Sequence, residues 1–192
     1  MAFIKASAAD RTAPKFQLPE KMRVPFGIGS RYSQRVGDCN PSKNLEISLN
    51  DESAVAFFDT IDAQNIRVAV ENSVAWFKEE LSEETIAFMY RTTCSRGSGM
   101  YAPLLRVKVG VARSPTNISV VTSQSNGTFA YRPGTIDDVK PHCRVSATVS
   151  IGGLWFVNNQ WGMSLKCTDL LVYPRETRRV VRGVFPFAIT PS

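Results

Sequence analysis

Histidine and closely spaced cysteines, on which most metal and nucleophilic sites depend, are scarce in this sequence. Its 192 residues contain one histidine and four cysteines, with no CxxC pair. His142 and Cys143 are adjacent in a segment with strand-like alternation, so their side chains point to opposite faces and cannot hold one ion together. The sequence therefore predicts no metal site and no cofactor. It favours buried, reduced thiols at Cys39, Cys94, Cys143 and Cys167.

Paired catalytic groups are equally scarce. Asp137 and Asp138 form the only close acidic pair in the second half of the chain, and two-metal chemistry would require further carboxylates there. The loop SRGSG at 95–99 lacks the Gly-Lys-Ser/Thr ending of a phosphate-binding loop. With one histidine and no nucleophile beside a base, the sequence predicts a protein that is not an enzyme.

Long apolar runs are also absent. The longest extend over a few residues, whereas a membrane-spanning helix needs about 18–20. The beginning of the chain, MAFIKASAADRTAPK, contains no apolar core of a secretion signal. We therefore expect an intracellular protein of a reducing compartment, with no membrane partner.

Charge is present but segregated. The net charge is +6, with eight basic and four acidic residues in 1–50, two and nine in 51–90, and thirteen and four in 91–192. Segregation of this kind gives one surface a positive field while another repels polyanions, as an oriented nucleic-acid-binding protein requires. Basic residues that only solvate the surface are the alternative interpretation.

Composition divides the chain into three regions. Residues 1–44 are rich in Pro, Gly, Ser and basic side chains, which indicates an extended basic arm or an edge strand. Residues 45–174 carry regular apolar periodicity and form the predicted folded domain. Residues 175–192, RETRRVVRGVFPFAITPS, form a tail that is first basic and then apolar. Such a tail docks either on a neighbouring subunit, giving a homo-oligomer, or on its own domain.

Helical periodicity is confined to residues 51–90. Apolar residues recur at steps of three or four from Ala54 to Phe77, which predicts one or two helices over about 51–79. Asn50 and Asp51 are suitable N-caps for the first helix, and Ser82 is the expected N-cap of a shorter helical segment, EETIAFMYR. We expect the acidic side chains of this segment to lie on the outer faces of the helices and to act as solubilising groups.

Beyond residue 103 the apolar period changes from helical to alternating. Residues 105–111, 143–151 and 161–167 alternate apolar side chains with glycine, small hydroxyl and basic ones, which predicts strands with one buried and one polar face. With NISVVTS, TFAYR and DLLVYP, about five or six short strands form an antiparallel barrel or sandwich. The predicted fold class is α+β, dominated by β-structure.

Residues 152–174, GGLWFVNNQWGMSLKCTDLLVYP, place two tryptophans around an Asn-Asn pair. If the two asparagines form a two-residue turn, Trp155 lies opposite Gly162 and points to the polar face, while Trp161 points to the core. If the loop also includes Gln160, Trp155 points inward instead. A shift of the pairing register by one residue therefore decides whether Trp155 lies on the polar face or in the core.

An outward Trp155 lies among basic side chains. An exposed tryptophan is a stacking platform for an unpaired base of any identity, and lysine and arginine neutralise the phosphates that pass it. Alternatively, Trp155 covers the helices or the N-terminal arm; Trp161 and Phe156 are expected in the core. The candidate nucleic-acid-binding residues are Trp155, Arg106, Lys108, Arg144, Lys166, Tyr131 and Phe129.

Three segments, in this order, carry a resemblance to a known family. They are SLNDESAVAFFDTIDAQNIRVAVENSVAWFKEELSEETIAFMY, MYAPLLRVKV and TIDDVKPHCRVSATVSIGGLWFVNNQWGMSLKCTDLLVYP. Over about residues 45–174 the chain resembles the single-stranded-DNA-binding proteins of large double-stranded DNA viruses of eukaryotes. The hairpin and its final strand are similar, more distantly, to the single-stranded-DNA-binding proteins of short-tailed phages.

This resemblance implies an OB-like antiparallel β-barrel over residues 45–174, with helices inserted at about 51–90. It implies a protein that coats single-stranded DNA during viral replication or recombination, in the cytoplasm or nucleus of an infected cell, with replication proteins as partners. The phage proteins end in an acidic tail that recruits such partners. Residues 175–192 are basic and then apolar, so recruitment by an acidic tail is not expected here.

Two alternatives stay open at the level of sequence. The same surface would bind RNA, because stacking platforms hardly distinguish the two sugars. A virion structural or assembly protein is the alternative from a different class: a small β-barrel whose basic flanks hold genome or other capsid chains. Stoichiometric incorporation into particles, with weak and strand-indifferent DNA binding, would mark that class.

Overall fold

Twelve strands, three α-helices and one 3-10 turn form the described part of the computed structural model, which covers residues 2–5, 13–29, 42–96, 101–111, 115–123 and 128–174. The tail 175–192, and the oligomer contact predicted for it, lie outside these residues. The strands are β1 (Ala2–Lys5), β2 (Lys15–Gln17), β3 (Met22–Arg23), β4 (Ile28–Gly29), β5 (Ser42–Ser48), β6 (Tyr90–Arg91), β7 (Cys94–Ser95), β8 (Leu104–Gly110), β9 (Asn117–Ser123), β10 (Phe129–Pro133), β11 (Arg144–Val157) and β12 (Gln160–Tyr173). The helices are α1 (Glu52–Glu71), α2 (Ser73–Phe77) and α3 (Glu83–Met89), and the 3-10 turn is Ile136–Asp138.

The strands belong to one mixed sheet. β11 and β12 form a long antiparallel hairpin, and pairings lead from β11 through β3, β5 and β8 back to β12. β12 also pairs in parallel with β6, β8 and β9. The expectation of a wholly antiparallel arrangement is therefore wrong. Alternation shows which face of a strand is buried, but the connections set the direction of its neighbour. The predicted β-dominated α+β class is confirmed.

The helical segment begins at the predicted caps and breaks once. The carboxylate of Asp51 accepts a hydrogen bond from the N–H of Ser53 at 2.8 Å and so caps α1. Asn72 separates α1 from α2, which selects two helices from the predicted alternatives. The hydroxyl of Ser82 accepts from the N–H of Thr85 at 3.3 Å and caps α3.

Inward-facing residues of the strands meet α1 in one core. The predicted apolar positions of 105–109, 143–149 and 163–167 all belong to it, and Phe58 of α1 is fully buried among them. Val111 was predicted on the same face and is 39% exposed. A second, smaller cluster lies between the hairpin and the helices and is built on Ala69, Ile86, Tyr90 and Trp161.

Asp62 contradicts the expectation that the acidic side chains of the helices lie outside. It is 5% exposed and accepts hydrogen bonds from the Tyr90 hydroxyl at 2.7 Å and from the Thr93 N–H at 2.8 Å. Burial raises the pKa of Tyr90, and the hydrogen bond to Asp62 and the charge of that carboxylate raise it further. This network ties α1 to residues 90–93. Helical periodicity gives no sign of it, because the partners are distant in sequence.

Asp138 has a structural role at the turn that precedes β11. Its carboxylate accepts a hydrogen bond from the N–H of Thr135 at 2.8 Å, and Arg132 donates to it. The hydrogen bond from Arg132 is the largest of the interactions that lower the pKa of Asp138 to about 2.

Replacing Asp138 by asparagine is expected to lower stability most at neutral pH. The folded-state pKa lies below the ordinary value, so the stabilisation is complete above the ordinary value and is lost as pH falls through about 4 toward about 2. Urea denaturation of both proteins at a series of pH values should show a midpoint difference that shrinks on acidification. Asp137→Asn, at an exposed position, is the matched control. A difference independent of pH would contradict a role for the charge.

Candidate nucleic-acid interface

The hairpin between β11 and β12 turns through two residues. Asn158 and Asn159 have φ values of 47° and 57°, which a type I′ turn requires and which asparagine tolerates. Trp155 consequently pairs with Gly162. The two-residue register is confirmed, and the three-residue alternative is excluded.

Trp161 points inward and anchors the hairpin to the helices. It is fully buried, and its indole N–H donates to the carbonyl of Ile86 in α3 at 3.0 Å. The centroid of its ring lies 4.6 Å from that of Tyr90, and the ring stacks on Phe156 at 5.8 Å with an interplanar angle of 5°. The core role predicted for these two hairpin aromatics is confirmed. By fixing the inner face of the hairpin, the cluster also fixes the outer face that carries Trp155.

Trp155 points away from this cluster. A β-bulge at Gly152 shifts the parity of β11 by one residue, so Trp155 continues the outward row that begins at Arg144. It is partly exposed and belongs to neither core cluster. Its ring reaches across the strand pair to Gly162, where a Cβ atom would lie 3.0 Å from Cζ2 of the indole. The helices pack on the opposite face of the hairpin, so Trp155 does not serve to cover them. Of the N-terminal arm, β1 pairs with β11 at this position, with Phe3 opposite Trp155 in the ladder.

Trp155 lines a groove together with Arg91, Arg106 and Lys108; we call it the Trp155 groove. Most of its other lining side chains carry hydroxyl or amide groups: Asn44, Thr92, Thr93, Ser95, Gln160 and Ser164. Glu46 is the one carboxylate among the described lining residues, and it pairs with Arg106 at 2.6 Å. The groove thus combines a partly exposed ring with an excess of positive charge.

Lys108 and Lys166 extend the positive charge along the sheet. They occupy paired positions on the parallel strands β8 and β12 and belong to the polar rows of those strands. Like charges on neighbouring strands destabilise a sheet, and an anion between them would offset that repulsion. The edge of the Trp155 groove is therefore suited to a phosphate.

Three other candidate residues lie at the far end of β11. Phe129 and Tyr131 of β10 and Arg144 of β11 line a second groove, which we call the Tyr131 groove. The two aromatic residues are 71% and 66% exposed. The groove is completed by Glu20, Lys21, Val121, His142, Tyr173 and Pro174. The structure thus divides the candidate residues into two groups, one toward the turn of the β11–β12 hairpin and the other at the start of β11.

Sequence reasoning missed Arg91, Lys21 and Tyr173. Arg91 reaches the Trp155 groove because β6 pairs in parallel with β12 at Gly162, next to the segment held by Asp62. Nζ of Lys21 lies 5.5 Å from the ring centroid of Tyr173. Each position depends on a contact between distant segments, and no local period in the sequence marks it.

Neither a metal site nor a membrane span is found in the described part of the chain: no group of three His, Cys, Asp or Glu side chains could hold an ion, and no helix is long and apolar enough to cross a bilayer.

Cys94, Cys143 and Cys167 are buried free thiols, which confirms the predicted burial for these three. Cys39 lies outside the described residues. Burial raises the pKa values of Cys94, Cys143 and Cys167 to about 12, 11 and 12, respectively. These three thiols are therefore protonated at neutral pH and poorly nucleophilic.

The comparison with solved structures finds two similar proteins, both from bacteriophages. The structure of gp2.5, a single-stranded DNA-binding protein encoded by bacteriophage T7, matches with a TM-score of 0.52 and 12% sequence identity, covering 83% of this chain and 91% of gp2.5. The single-stranded DNA-binding protein from bacteriophage Enc34, solved in complex with single-stranded DNA, matches with a TM-score of 0.49 and 10% identity, covering 82% of this chain and 84% of that protein. At these identities the gp2.5 match establishes a shared fold.

Sequence comparison gives a family without an assigned function. No curated protein matches the chain. Residues 34–180, well over half of the chain, match a family described only as a family of unknown function (DUF5871). The strands that carry both grooves fall within the matched segment. The protein is therefore a member of the DUF5871 family.

Proposed function

We propose that this protein binds single-stranded DNA on the outward face of β11 and β12, with a base stacked on Trp155. The observation that carries the proposal is the partly exposed Trp155 in a groove with Arg91, Arg106 and Lys108. An exposed ring among cations is the combination by which proteins bind single strands without reading their sequence. The protein gp2.5 of bacteriophage T7, whose fold this chain shares, is itself a single-stranded DNA-binding protein.

Stacking on Trp155 favours a single strand over a duplex. An unpaired base offers a whole aromatic face to the indole ring, and one stacked base contributes about 1–3 kcal/mol. In a duplex, neighbouring base pairs already cover these faces. Because every base has such a face, the binding tolerates any sequence.

The charge distribution supports the same face. The Trp155 groove has three basic residues against Glu46, which already pairs with Arg106, and Lys166 adds a fourth cation beside Lys108. The segment 51–90 carries nine acidic and two basic residues, and its helices pack on the opposite face of the hairpin. A polyanion is therefore attracted to one side of the hairpin and repelled from the other.

We infer further that the circuit of pairings β11–β3–β5–β8–β12–β11 is an OB-like barrel, a fold that binds oligonucleotides on its sheet. In this proposal the protein coats and protects single strands exposed during viral DNA replication or recombination, alongside replication proteins. It acts in an intracellular, reducing compartment and makes no covalent change to the DNA. The support for this wider role is the family resemblance in the sequence and the three buried free thiols.

The affinity for oligo(dT) is expected to fall by about 20-fold between about 50 and 200 mM salt. A single strand gives a log–log slope of about −0.7 for each phosphate that is neutralised, and Arg91, Lys108 and Lys166 provide three cations beside the ion pair of Arg106 with Glu46. Fluorescence anisotropy of a labelled oligomer at four or five salt concentrations measures the slope.

Removal of one cation provides the matched test of that slope. Lys108→Gln should make the slope shallower by about 0.7. Arg67→Gln, on the exposed face of α1, should leave it unchanged. An affinity that does not depend on salt, or equal effects of the two substitutions, would count against phosphate binding at the Trp155 groove.

A further inference from the structure

Like the Trp155 groove, the Tyr131 groove combines aromatic rings with two or more cations and one carboxylate, here that of Glu20. Phe129 and Tyr131 are 71% and 66% exposed, and the cations Lys21 and Arg144 line the groove beside them. Phe129 and Tyr131 lie two residues apart on β10 and therefore point to the same face. Together they form an exposed apolar patch of the kind that marks an interaction site. A ring beside cations is suited to an unpaired base and its phosphate.

We propose that the Tyr131 groove is a second base-stacking subsite for the same DNA strand that stacks on Trp155. This inference rests on the proposed function and extends it: the site becomes bipartite, with one aromatic subsite at each end of the β11–β12 hairpin. A strand of sufficient length occupies both subsites at once.

The two subsites lie on one continuous face. The outward residues of β11 run from Arg144 through Ser146 and Thr148 to Trp155, and outward residues of β12 pair with them along the whole ladder. A shallow concavity lined by Tyr131, Ser146 and Thr148 continues from the Tyr131 groove toward the middle of the hairpin. The lining of this concavity includes the small hydroxyl side chains of Ser119, Ser146 and Thr148, over which a strand can pass closely.

The length of β11 sets the number of nucleotides. From Arg144 to Trp155 the strand advances by about 35 Å at about 3.3 Å per residue. A strand with stacked spacing, about 3.4 Å per nucleotide, needs about ten nucleotides for that distance, and a strand stretched twofold needs about five. Both values fall within the site sizes of about 4–16 nucleotides that OB-folds cover.

Asp169 marks the path between the subsites. It is exposed, lies opposite Thr148 in the ladder and accepts a hydrogen bond from the Asn117 side chain at 3.2 Å. Its charge repels a phosphate that passes along this face. Asp169→Asn is therefore expected to strengthen the binding of long oligomers by about two- to fivefold, as for one exposed charge interaction, and to leave the shortest oligomers unchanged.

The test is the affinity of oligo(dT) as a function of its length, from about four to about sixteen nucleotides. Wild-type affinity should rise steeply once the oligomer reaches five to ten nucleotides. The double variant Phe129→Ala/Tyr131→Ala should lack that rise and lose about 5- to 100-fold for long oligomers, while four-nucleotide binding stays within about twofold. Phe88→Ala removes a ring that is 90% exposed on α3 and lines neither groove, and should match the wild type at every length.

Several results would overturn the bipartite site. If the double variant binds every length as the wild type does, while Trp155→Ala weakens binding, the Tyr131 groove is no subsite and the proposed function stands. If Asp169→Asn leaves long oligomers unaffected, the strand does not follow this face. Wild-type protein that binds no oligo(dT) of any length would overturn the proposed function together with the second subsite.

Discussion

Replacing Trp161 by alanine is expected to lower the free energy of unfolding by about 3–5 kcal/mol, the range for large aromatic residues in cores. The indole is fully buried, and its N–H donates to the Ile86 carbonyl at 3.0 Å. Its ring also contacts the rings of Tyr90 and Phe156. The substitution therefore leaves a cavity between the hairpin and the helices and removes the hydrogen bond to the Ile86 carbonyl. Urea denaturation followed by circular dichroism measures the loss.

A second substitution keeps this prediction testable if the alanine variant does not fold. Trp161→Phe retains a ring but loses the donor to Ile86, and should cost about 1–3 kcal/mol. Trp155→Ala, at a partly exposed position outside both core clusters, is expected to cost less than Trp161→Ala. Equal losses for the two tryptophans would contradict the register that separates their roles.

Trp155→Ala is expected to weaken oligo(dT) binding by about 1–3 kcal/mol, or roughly 5- to 150-fold, because it removes one stacking platform. Trp155→Phe should recover much of the affinity, since a smaller ring still stacks. The measurement is an anisotropy titration of each variant at one salt concentration, with circular dichroism to show that the fold is retained.

Phe88→Ala is the matched control for this loss. It removes an aromatic ring that is 90% exposed on α3, away from the Trp155 groove. Wild-type affinity in Trp155→Ala, or an equal loss in Phe88→Ala, would show that stacking on Trp155 does not contribute.

Local patterns in the sequence predicted the buried face of β12 and left the direction of Trp155 on β11 dependent on the length of the turn. Alternation placed Trp161 with Met163, Leu165 and Cys167 in the core, and the tolerance of asparagine for positive φ favoured the two-residue turn. Together these two local signals gave the outward direction of Trp155 once the turn length was known. The cap at Asp51 was predictable for the same reason, because its partner lies two residues away.

Features that depend on distant contacts escaped prediction. The parallel pairing of β12 with β6 brings Arg91 to the Trp155 groove. Alternation of apolar residues does not show whether neighbouring strands run parallel or antiparallel, so this pairing could not be predicted. The sequence predicts that Asp62 is one more exposed acidic residue of a helix. In the structure it is buried and accepts hydrogen bonds from Tyr90 and Thr93. The candidate residues fall into two grooves because β11 is a single long strand with one groove near each end. The bulge at Gly152 interrupts the alternation of apolar residues, so the sequence pattern did not reveal the full length of this strand.

The most direct measurement is a competition between single-stranded and duplex DNA for the wild-type protein. A labelled oligo(dT) of about sixteen nucleotides is displaced by unlabelled single strands or by a duplex of the same length, at the same salt concentration. We predict that the single strand competes about tenfold or more better than the duplex, because only unpaired bases can stack on Trp155. Equal or better competition by the duplex would contradict single-strand binding at this face.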